Sequence, residues 1–360
     1  MALRTGHSAA SAGVALGAVL AFYGMWQGEA GDLWKAAGIG CAALTLFATR
    51  SVPEIVTAFS IFLAALALDV VPREAVFAGF MSSGFWLLVS GIILGAALTS
   101  TGLAARISKR LIGLTGPSYP RAVLVIAVAG MALGILIPST MPRIIVMIPI
   151  AAALAERLGL EPSGRGAIGL VATAATATLL PTYMILTANL PTIVLVGAMD
   201  QLYGARVTYS GYLLQHLPVN ALRLALLIAL MVRFTRDPIN SSATQTSDRE
   251  PITPDQRRLL IVLGAAITMW LTDFVHGIPP AWVALTAATL VIWPRFGMLK
   301  PTAMREQIDL TPAIFFASIV TVVTIAREAS LDQLLADIII KELPLNGEGG
   351  LSSVYAIVSF

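Results

Sequence analysis

Charge is what this sequence lacks most. Only 12% of its 360 residues are charged, whereas a soluble domain averages about 25%. Hydrophobic residues make up 57% of the chain. The few polar residues cannot cover a particle of this size, so the sequence predicts an integral membrane protein in a lipid bilayer.

Residues that bind metals or nucleic acids are also scarce. The single cysteine, Cys41, excludes a disulfide framework and a Cys-based metal site, and the three histidines are too far apart for a zinc site. The 23 Lys and Arg residues are scattered and form no basic tract, so we expect no nucleic-acid partner. No HExxH, P-loop or Ser-His-Asp pattern occurs, and we therefore predict neither an enzyme nor an organic cofactor.

Long apolar runs are what the sequence does contain. A helix needs about 20 apolar residues to cross a bilayer. Runs of this kind lie near 9–27, 33–49, 53–71, 84–104, 211–233, 257–275, 280–294 and 310–327. They predict an all-α polytopic membrane protein.

Two further segments are apolar but interrupted. Residues 122–155 consist of two short arms around a Pro-Ser-Thr tip, which predicts a re-entrant helical hairpin. Residues 166–198 are interrupted over 179–191, where Pro181 and Pro191 predict a broken helix. Re-entrant and broken helices of this kind line protein or water cavities, since their free backbone groups need partners.

The distribution of basic residues predicts the orientation. With a cytoplasmic N-terminus, 16 of the 23 Lys and Arg residues lie on the cytoplasmic side. Full crossing by both arms of 122–155 gives the same count, so only the shortness of the arms argues for re-entry. The expected location is a bacterial inner membrane.

A weak internal repeat appears at an offset of 228 residues. It pairs 85–112 with 313–340, and 52–66 with 279–293. In the predicted topology the two copies run in opposite directions, as in inverted-repeat transporters, although chance similarity of apolar helices is an alternative. The tip at Ser139 is expected to recur near position 367, so Phe360 is expected to lie at a truncation inside a second hairpin.

The hairpin tip carries groups suited to an anion. The second arm begins with free N–H groups at the positive end of its dipole, and Ser139 and Thr140 add hydroxyls. Arg143, one turn further, offers a planar fork for a carboxylate, and an intramembrane charge is by default functional. The alternative is that Arg143 extends to the interface or caps carbonyl groups.

The second interruption offers Thr187, Asn189 and free carbonyl groups before Pro191; a plain proline kink is the alternative. Elsewhere, Arg223 shares a helix face with Asn220 and is expected to pair with it. Three acids near the ends of spans are expected to be solvated: Asp69, Asp200 and Asp273.

These motifs resemble the divalent anion:sodium symporter family of the ion transporter superfamily. That family has a Ser-Asn-Thr motif at each hairpin tip and a proline further on, comparable with Ser139-Thr140-Met141 and Pro149. The segment 138–143 is closest to the Pro-Ser-Asn-Thr-Ala-Arg of dicarboxylate and citrate translocators. Their Met-Phe-Leu-Thr-Ala followed by Asn-Pro is similar to 184–191.

The resemblance implies a sodium-coupled secondary transporter of divalent anions such as succinate, malate or 2-oxoglutarate, with citrate and sulfate as further candidates. It also implies a homodimer with elevator-like movement. The expected substrate-binding residues are Ser139, Thr140, Met141, Arg143, Thr187, Asn189 and Pro191. The expected sodium ligands are Ser139, Thr140 and Thr187.

The predicted spans and the resemblance together give the expected domain organisation. It comprises scaffold helices in 1–75, a first transport unit in 76–210, a closing span in 211–233, a cytoplasmic linker in 234–256 and an incomplete second repeat in 257–360. Thr140 and Met141 depart from the family's Asn and Thr, which leaves a sodium-independent dicarboxylate exchanger as an alternative. A second alternative is a non-transporting fragment or membrane assembly subunit.

Overall fold

A computed structural model describes residues 2–28, 31–112, 115–136, 140–239 and 251–334. These ranges contain helices and connecting turns and no strand. Within them, four helical segments are long and apolar enough to cross a membrane: Ser83–Ser100, Arg165–Met184, Tyr209–Thr235 and Thr311–Glu328. The predicted class, an all-α polytopic membrane protein, is confirmed.

The chain divides into two compact units, Met1–Met81 with Ile314–Phe360, and Ser82–Ala313. The first unit opens with α1 (Ala2–Gly24), α2 (Gly31–Thr49), α3 (Glu54–Leu68), α4 (Arg73–Val76) and α5 (Ala78–Met81). Helices α1 and α2 pack along each other. Gly17 and Gly38 permit this close contact, because a Cβ on Gly17 would lie 2.6 Å from the Gly38 carbonyl oxygen.

The second unit holds the remaining helices up to residue 307. They are α6 (Ser83–Ser100), α7 (Leu103–Ile112), α8 (Tyr119–Leu136), α9 (Thr140–Arg157), α10 (Arg165–Leu179), α11 (Leu190–Tyr203), α12 (Tyr209–Thr235), α13 (Pro254–Leu271), α14 (Asp273–His276), α15 (Pro280–Ile292) and α16 (Pro301–Gln307). A short 3₁₀ helix, Pro181–Met184, lies between α10 and α11.

Helices α8 and α9 form the two arms of the predicted hairpin. Each has 18 residues, which is longer than the apolar runs suggested. The difference is largest in α9, because Thr140–Arg143 forms its first turn instead of an irregular tip. At the base, the Tyr119 hydroxyl donates to the Gly166 carbonyl at 3.1 Å, so α8 and α10 begin side by side.

Apolar side chains pack α8, α10 and α12 together. Ala127, Ala177 and Leu227, one from each helix, form a buried cluster. The threonines of α10 do not disturb this packing, because Thr173 and Thr176 donate back to carbonyl groups one turn earlier. The hairpin therefore lies against the first half of the interrupted helix.

Helix α17 (Thr311–Glu328) bears on the predicted repeat. Adding 228 to the bounds of α6 gives the bounds of α17. Ser90 and Ser318, which the repeat aligns, are both buried and donate to carbonyl groups one turn back. In the first unit, the Thr321 hydroxyl donates to the Val76 carbonyl at 2.6 Å, which joins α17 to α4.

The acids near the helix ends differ in their surroundings. Asp69 is exposed as expected, whereas the expectation that Asp273 is solvated is wrong. Asp273 is buried and accepts hydrogen bonds from the Tyr209 amide, the Ser210 amide and the Ser210 hydroxyl. The first amides of α12 need acceptors, and the carboxylate supplies them.

Candidate functional site

The interruption between α10 and α11 is a buried, irregular segment. Helix α10 ends at Leu179, the 3₁₀ helix follows, and α11 begins at Leu190. Residues 184–189 are all buried. This matches the break expected over 179–191, and it leaves carbonyl and amide groups that no regular helix satisfies.

Arg143 joins the hairpin to this break. Its side chain is fully buried in the first turn of α9. One terminal nitrogen, Nη2, donates to the Thr140 hydroxyl at 2.9 Å, the Ala188 carbonyl oxygen at 3.1 Å and the Asn189 side-chain oxygen at 3.2 Å. The guanidinium therefore holds oxygens from both interrupted segments. The alternative that it extends to the interface is wrong, whereas the alternative that it caps a carbonyl group agrees with its bond to Ala188.

Further hydrogen bonds extend from Arg143 to the end of α10. The Thr140 hydroxyl donates to the Asn189 Oδ1 at 3.3 Å, and the Asn189 Nδ2 lies 3.4 Å from the Thr182 hydroxyl. Thr182 in turn donates to the Leu179 carbonyl at 2.7 Å. Asn189 occupies the N-cap position of α11 without capping it, because its amide is used in this network instead.

The electrostatic character of the site is positive. Within the described residues, Arg143 Nε and Nη1 have no hydrogen-bond partner, and no carboxylate forms an ion pair with this side chain. The N-termini of α9 and α11 both lie at the site, and each adds a partial positive charge. A buried cation with free donors is costly unless an anion joins it.

Gly134 makes room for the guanidinium. A Cβ on this residue of α8 would lie 2.8 Å from Arg143 Nη1 and 2.4 Å from Thr182 Cγ2. Any side chain there would push the guanidinium or the break aside. The first arm of the hairpin thus helps to position the charge that the second arm carries.

The predicted site residues are only partly brought together. Thr140, Arg143 and Asn189 form the cluster. Thr187 is buried next to it along the chain, but its hydroxyl lies beside the Tyr209 phenol of α12. Pro191 is exposed in the first turn of α11. Ser139 and the side chain of Met141 lie outside what the structure describes.

Two groups in the cluster were not expected from the sequence, Gly134 and Thr182, whereas the Ala188 carbonyl is one of the free carbonyl groups expected before Pro191. Thr182 follows Pro181 inside the interruption, so its position in the sequence could have indicated a place in the site. Gly134 lies in an apolar run with no distinguishing pattern. A neighbouring anchor was also missed, since the Tyr212 hydroxyl of α12 donates to the Tyr183 carbonyl at 2.8 Å.

Neither of two cavities in this unit includes Arg143. The larger, about 680 Å³, lies between α9 and α10 and is lined by apolar residues and Glu156. Its chemistry does not suit an anion. The smaller, about 10 Å³, adjoins Thr187 and Trp270 and is no larger than a water molecule needs. Because Arg143 is fully buried, an anion can contact it only after surrounding residues move.

A sodium ion does not fit beside Thr140 in this arrangement. The hydroxyl that the sequence assigned to sodium accepts from Arg143 Nη2, as do the nearest carbonyl and amide oxygens. A cation added there would lie close to the guanidinium and be repelled by it. Within the described residues, no cluster of His, Cys, Asp and Glu could hold another metal ion.

Most of the chain matches a known family of membrane transporters. The profile of the CitMHS family, described as citrate transporters, matches residues 44–360. The chain belongs to the CitMHS citrate transporter family. The sequence prediction of a transporter-family membrane protein is confirmed at this level, and the narrower resemblance to the divalent anion:sodium symporters stays a prediction.

Two relatives are similar over most of this CitMHS chain. A protein of Cupriavidus necator named "Membrane protein" is 26% identical over 290 residues, which cover 78% of this chain and 56% of that protein. "Inner membrane protein YbhI" of Escherichia coli K12 is 23% identical over 340 residues, covering 89% and 70% respectively. The chain thus spans little more than half the length of the first relative.

Proposed function

We propose that the protein is a secondary active transporter of small di- and tricarboxylate anions in a bacterial inner membrane. The observation that carries this proposal is Arg143: a fully buried guanidinium with two unpaired nitrogens and no carboxylate partner in the described residues. Membership of a citrate transporter family supports the same substrate class. Succinate, malate, 2-oxoglutarate and citrate are the candidate substrates, with sulfate as an inorganic one.

The substrate carboxylate binds between the hairpin and the break. Its oxygens accept from Arg143 Nη1 and Nε, which are the donors left free by the protein. The N-termini of α9 and α11 add favourable dipoles.

Binding is coupled to movement because the site is closed around Arg143. The hairpin of α8 and α9 is proposed to re-enter the membrane from the cytoplasmic side, where the N-terminus lies. Residues 1–75 act as scaffold and 76–210 as the first moving unit, and two copies of the chain form the working assembly. Inverted repeats around such a site are the common architecture of secondary transporters.

Two coupling modes follow from the sequence: sodium symport, which the resemblance implies, and exchange of one anion for another. Both need the same anion site, so the anion site is tested first. The rival interpretation, a non-transporting assembly subunit, predicts no substrate-specific flux at all.

The experiment measures uptake of labelled citrate and succinate into liposomes that contain the purified protein and are preloaded with the same unlabelled anion. Uptake should be saturable and should fall at least about tenfold in Arg143→Met, since a charge-assisted hydrogen bond contributes roughly 1.5–3 kcal/mol. Arg223→Met is the matched control, because Arg223 bonds Asn220 at 3.3 Å within α12. Flux that is absent with each candidate anion, or unchanged in Arg143→Met, would contradict the proposal.

A further inference from the structure

The oxygens around Arg143 Nη2 have the character of a cation site. A hydroxyl, a backbone carbonyl and a side-chain amide oxygen converge on one nitrogen at 2.9, 3.1 and 3.2 Å. Oxygens of these types are ligands for hard metal ions. They come from the hairpin and from the break, where the sequence had predicted a sodium ion.

We infer that the Arg143 guanidinium is a built-in cation that takes the place of sodium at the hairpin site, so that transport does not require sodium there. The inference rests on the proposed anion transport and concerns its coupling. Arg143, a charge carried by the chain itself, is then the group that joins the hairpin to the break.

The oxygens that could bind sodium already accept hydrogen bonds from Arg143. Nη2 donates to the Thr140 hydroxyl, the Asn189 side-chain oxygen and the Ala188 carbonyl oxygen. A sodium ion would have to displace this nitrogen to reach the same oxygens. Arg143 is fully buried, so withdrawal of the guanidinium would require the surrounding helices to move.

The positive charge of Arg143 also disfavours a sodium ion at this position. A sodium ion next to an arginine would place two positive charges within a few ångströms in a medium of low dielectric, where repulsion is strong. Within the described residues no carboxylate at the cluster would offset it. An arginine remains charged under all physiological conditions, so the position is occupied by a cation at all times.

The consequence is a transporter whose hairpin and break are held together without a bound ion. A cation bound to these oxygens would bring both segments together and attract an anion by its positive charge. Arg143 does both here, and it keeps Nε and Nη1 free for the substrate. A sodium gradient then cannot drive uptake through this site, whereas anion exchange can.

The test compares labelled citrate and succinate exchange in sodium chloride with exchange in choline chloride, using liposomes that contain the purified protein. The wild type should exchange at equal rates in both salts. Arg143→Ala should lose about ten- to a hundredfold of the rate in choline, as expected for a lost charged hydrogen-bond partner. Sodium, but not choline, should restore part of that rate by entering the vacated oxygens.

Arg143→Lys provides the matched control, since it keeps a tethered charge and should remain indifferent to sodium. A second readout is thermal stability in detergent: sodium should raise the unfolding midpoint of Arg143→Ala and leave the wild type unchanged. If Arg143→Ala fails to fold, the comparison of exchange in sodium with exchange in choline still tests the inference in the wild type and in Arg143→Lys.

Exchange by the wild type that stops when choline replaces sodium would overturn the inference and leave the transport proposal standing. Loss of sodium independence in Arg143→Lys would also overturn it. Absence of flux for these anions in both salts would instead count against the proposed function. The two failures are therefore distinguishable.

Discussion

The Nη2 atom of Arg143 lies 3.2 Å from the Oδ1 atom of Asn189, although 46 residues separate the two in the chain. Arg143 lies in the first turn of α9, and Asn189 is the residue immediately before α11. The contact therefore ties a hairpin tip to a helix break. Any movement that admits a substrate to Arg143 must either break this contact or carry both segments together.

Asn189→Asp should strongly reduce anion transport while keeping the fold. The substitution nearly preserves shape but places a carboxylate 3.2 Å from the guanidinium. The new ion pair neutralises the site and repels the substrate, so exchange should fall about tenfold or more, the scale of a lost charge-assisted bond. The unfolding midpoint should rise, because a buried arginine gains a counter-charge.

The matched control is Asn220→Asp in α12. Its side-chain oxygen lies 3.3 Å from Arg223 Nη1, so the same pairing forms away from the site. Exchange should be retained in this variant. Equal loss of transport in both variants, measured with labelled citrate, would show that the effect of Asn189→Asp is not specific to the anion site.

Gly134→Ala should displace the guanidinium. Its Cβ would lie 2.8 Å from Arg143 Nη1 and 2.4 Å from Thr182 Cγ2. Overpacking of this kind typically costs about 1–3 kcal/mol, and we expect both the unfolding midpoint and the citrate exchange rate to fall. Gly264→Ala in α13 has no atom within 4 Å of the new Cβ and should be neutral or stabilising by up to about 1 kcal/mol. Unchanged exchange in Gly134→Ala would contradict the prediction.

The sequence located the helices and both interruptions because each depends on local features. Apolar runs of sufficient length specify the spans, and the prolines at 181 and 191 specify where one of them breaks. Even the offset of the repeat, 228 residues, carries over to the bounds of α6 and α17. Such features can be read without knowing which segments meet.

The contacts of the site could not be read in this way. Nothing local shows that Arg143 reaches Ala188 and Asn189, since that pairing depends on how the hairpin lies against α10. Asp273 is a similar case, because its burial arises from the start of α12, which lies more than sixty residues earlier. Long-range hydrogen bonds determine both, and a single sequence does not encode them in a recognisable pattern.

Thr182→Val should loosen the break. The variant keeps the shape of the side chain but removes the hydroxyl that lies 3.4 Å from the Asn189 amide nitrogen. That buried donor is then unsatisfied, which typically costs about 1–3 kcal/mol, and Asn189 loses its fixed orientation toward Arg143. We expect a lower unfolding midpoint and a weaker apparent affinity for citrate in concentration-dependent uptake.

Thr178→Val, one turn earlier in α10, controls for the loss of a buried hydroxyl. Thr178 donates only to the Ala175 carbonyl of its own helix among the bonds seen here, and that carbonyl lies in a regular helix. Its substitution should cost less than about 1 kcal/mol. Identical changes in apparent affinity for both variants would contradict a specific role of Thr182.

Asp273→Ala should destabilise the start of α12 without altering anion selectivity. The carboxylate accepts from the amides of Tyr209 and Ser210 at the positive end of this helix. Removing such a cap costs about 0.5–2 kcal/mol, so the unfolding midpoint should fall. Asp69→Asn, at an exposed position after α3 with φ 48°, should be nearly neutral because asparagine tolerates this conformation. A changed ratio of citrate to succinate uptake in Asp273→Ala would show that the cap also shapes the binding site, against this prediction.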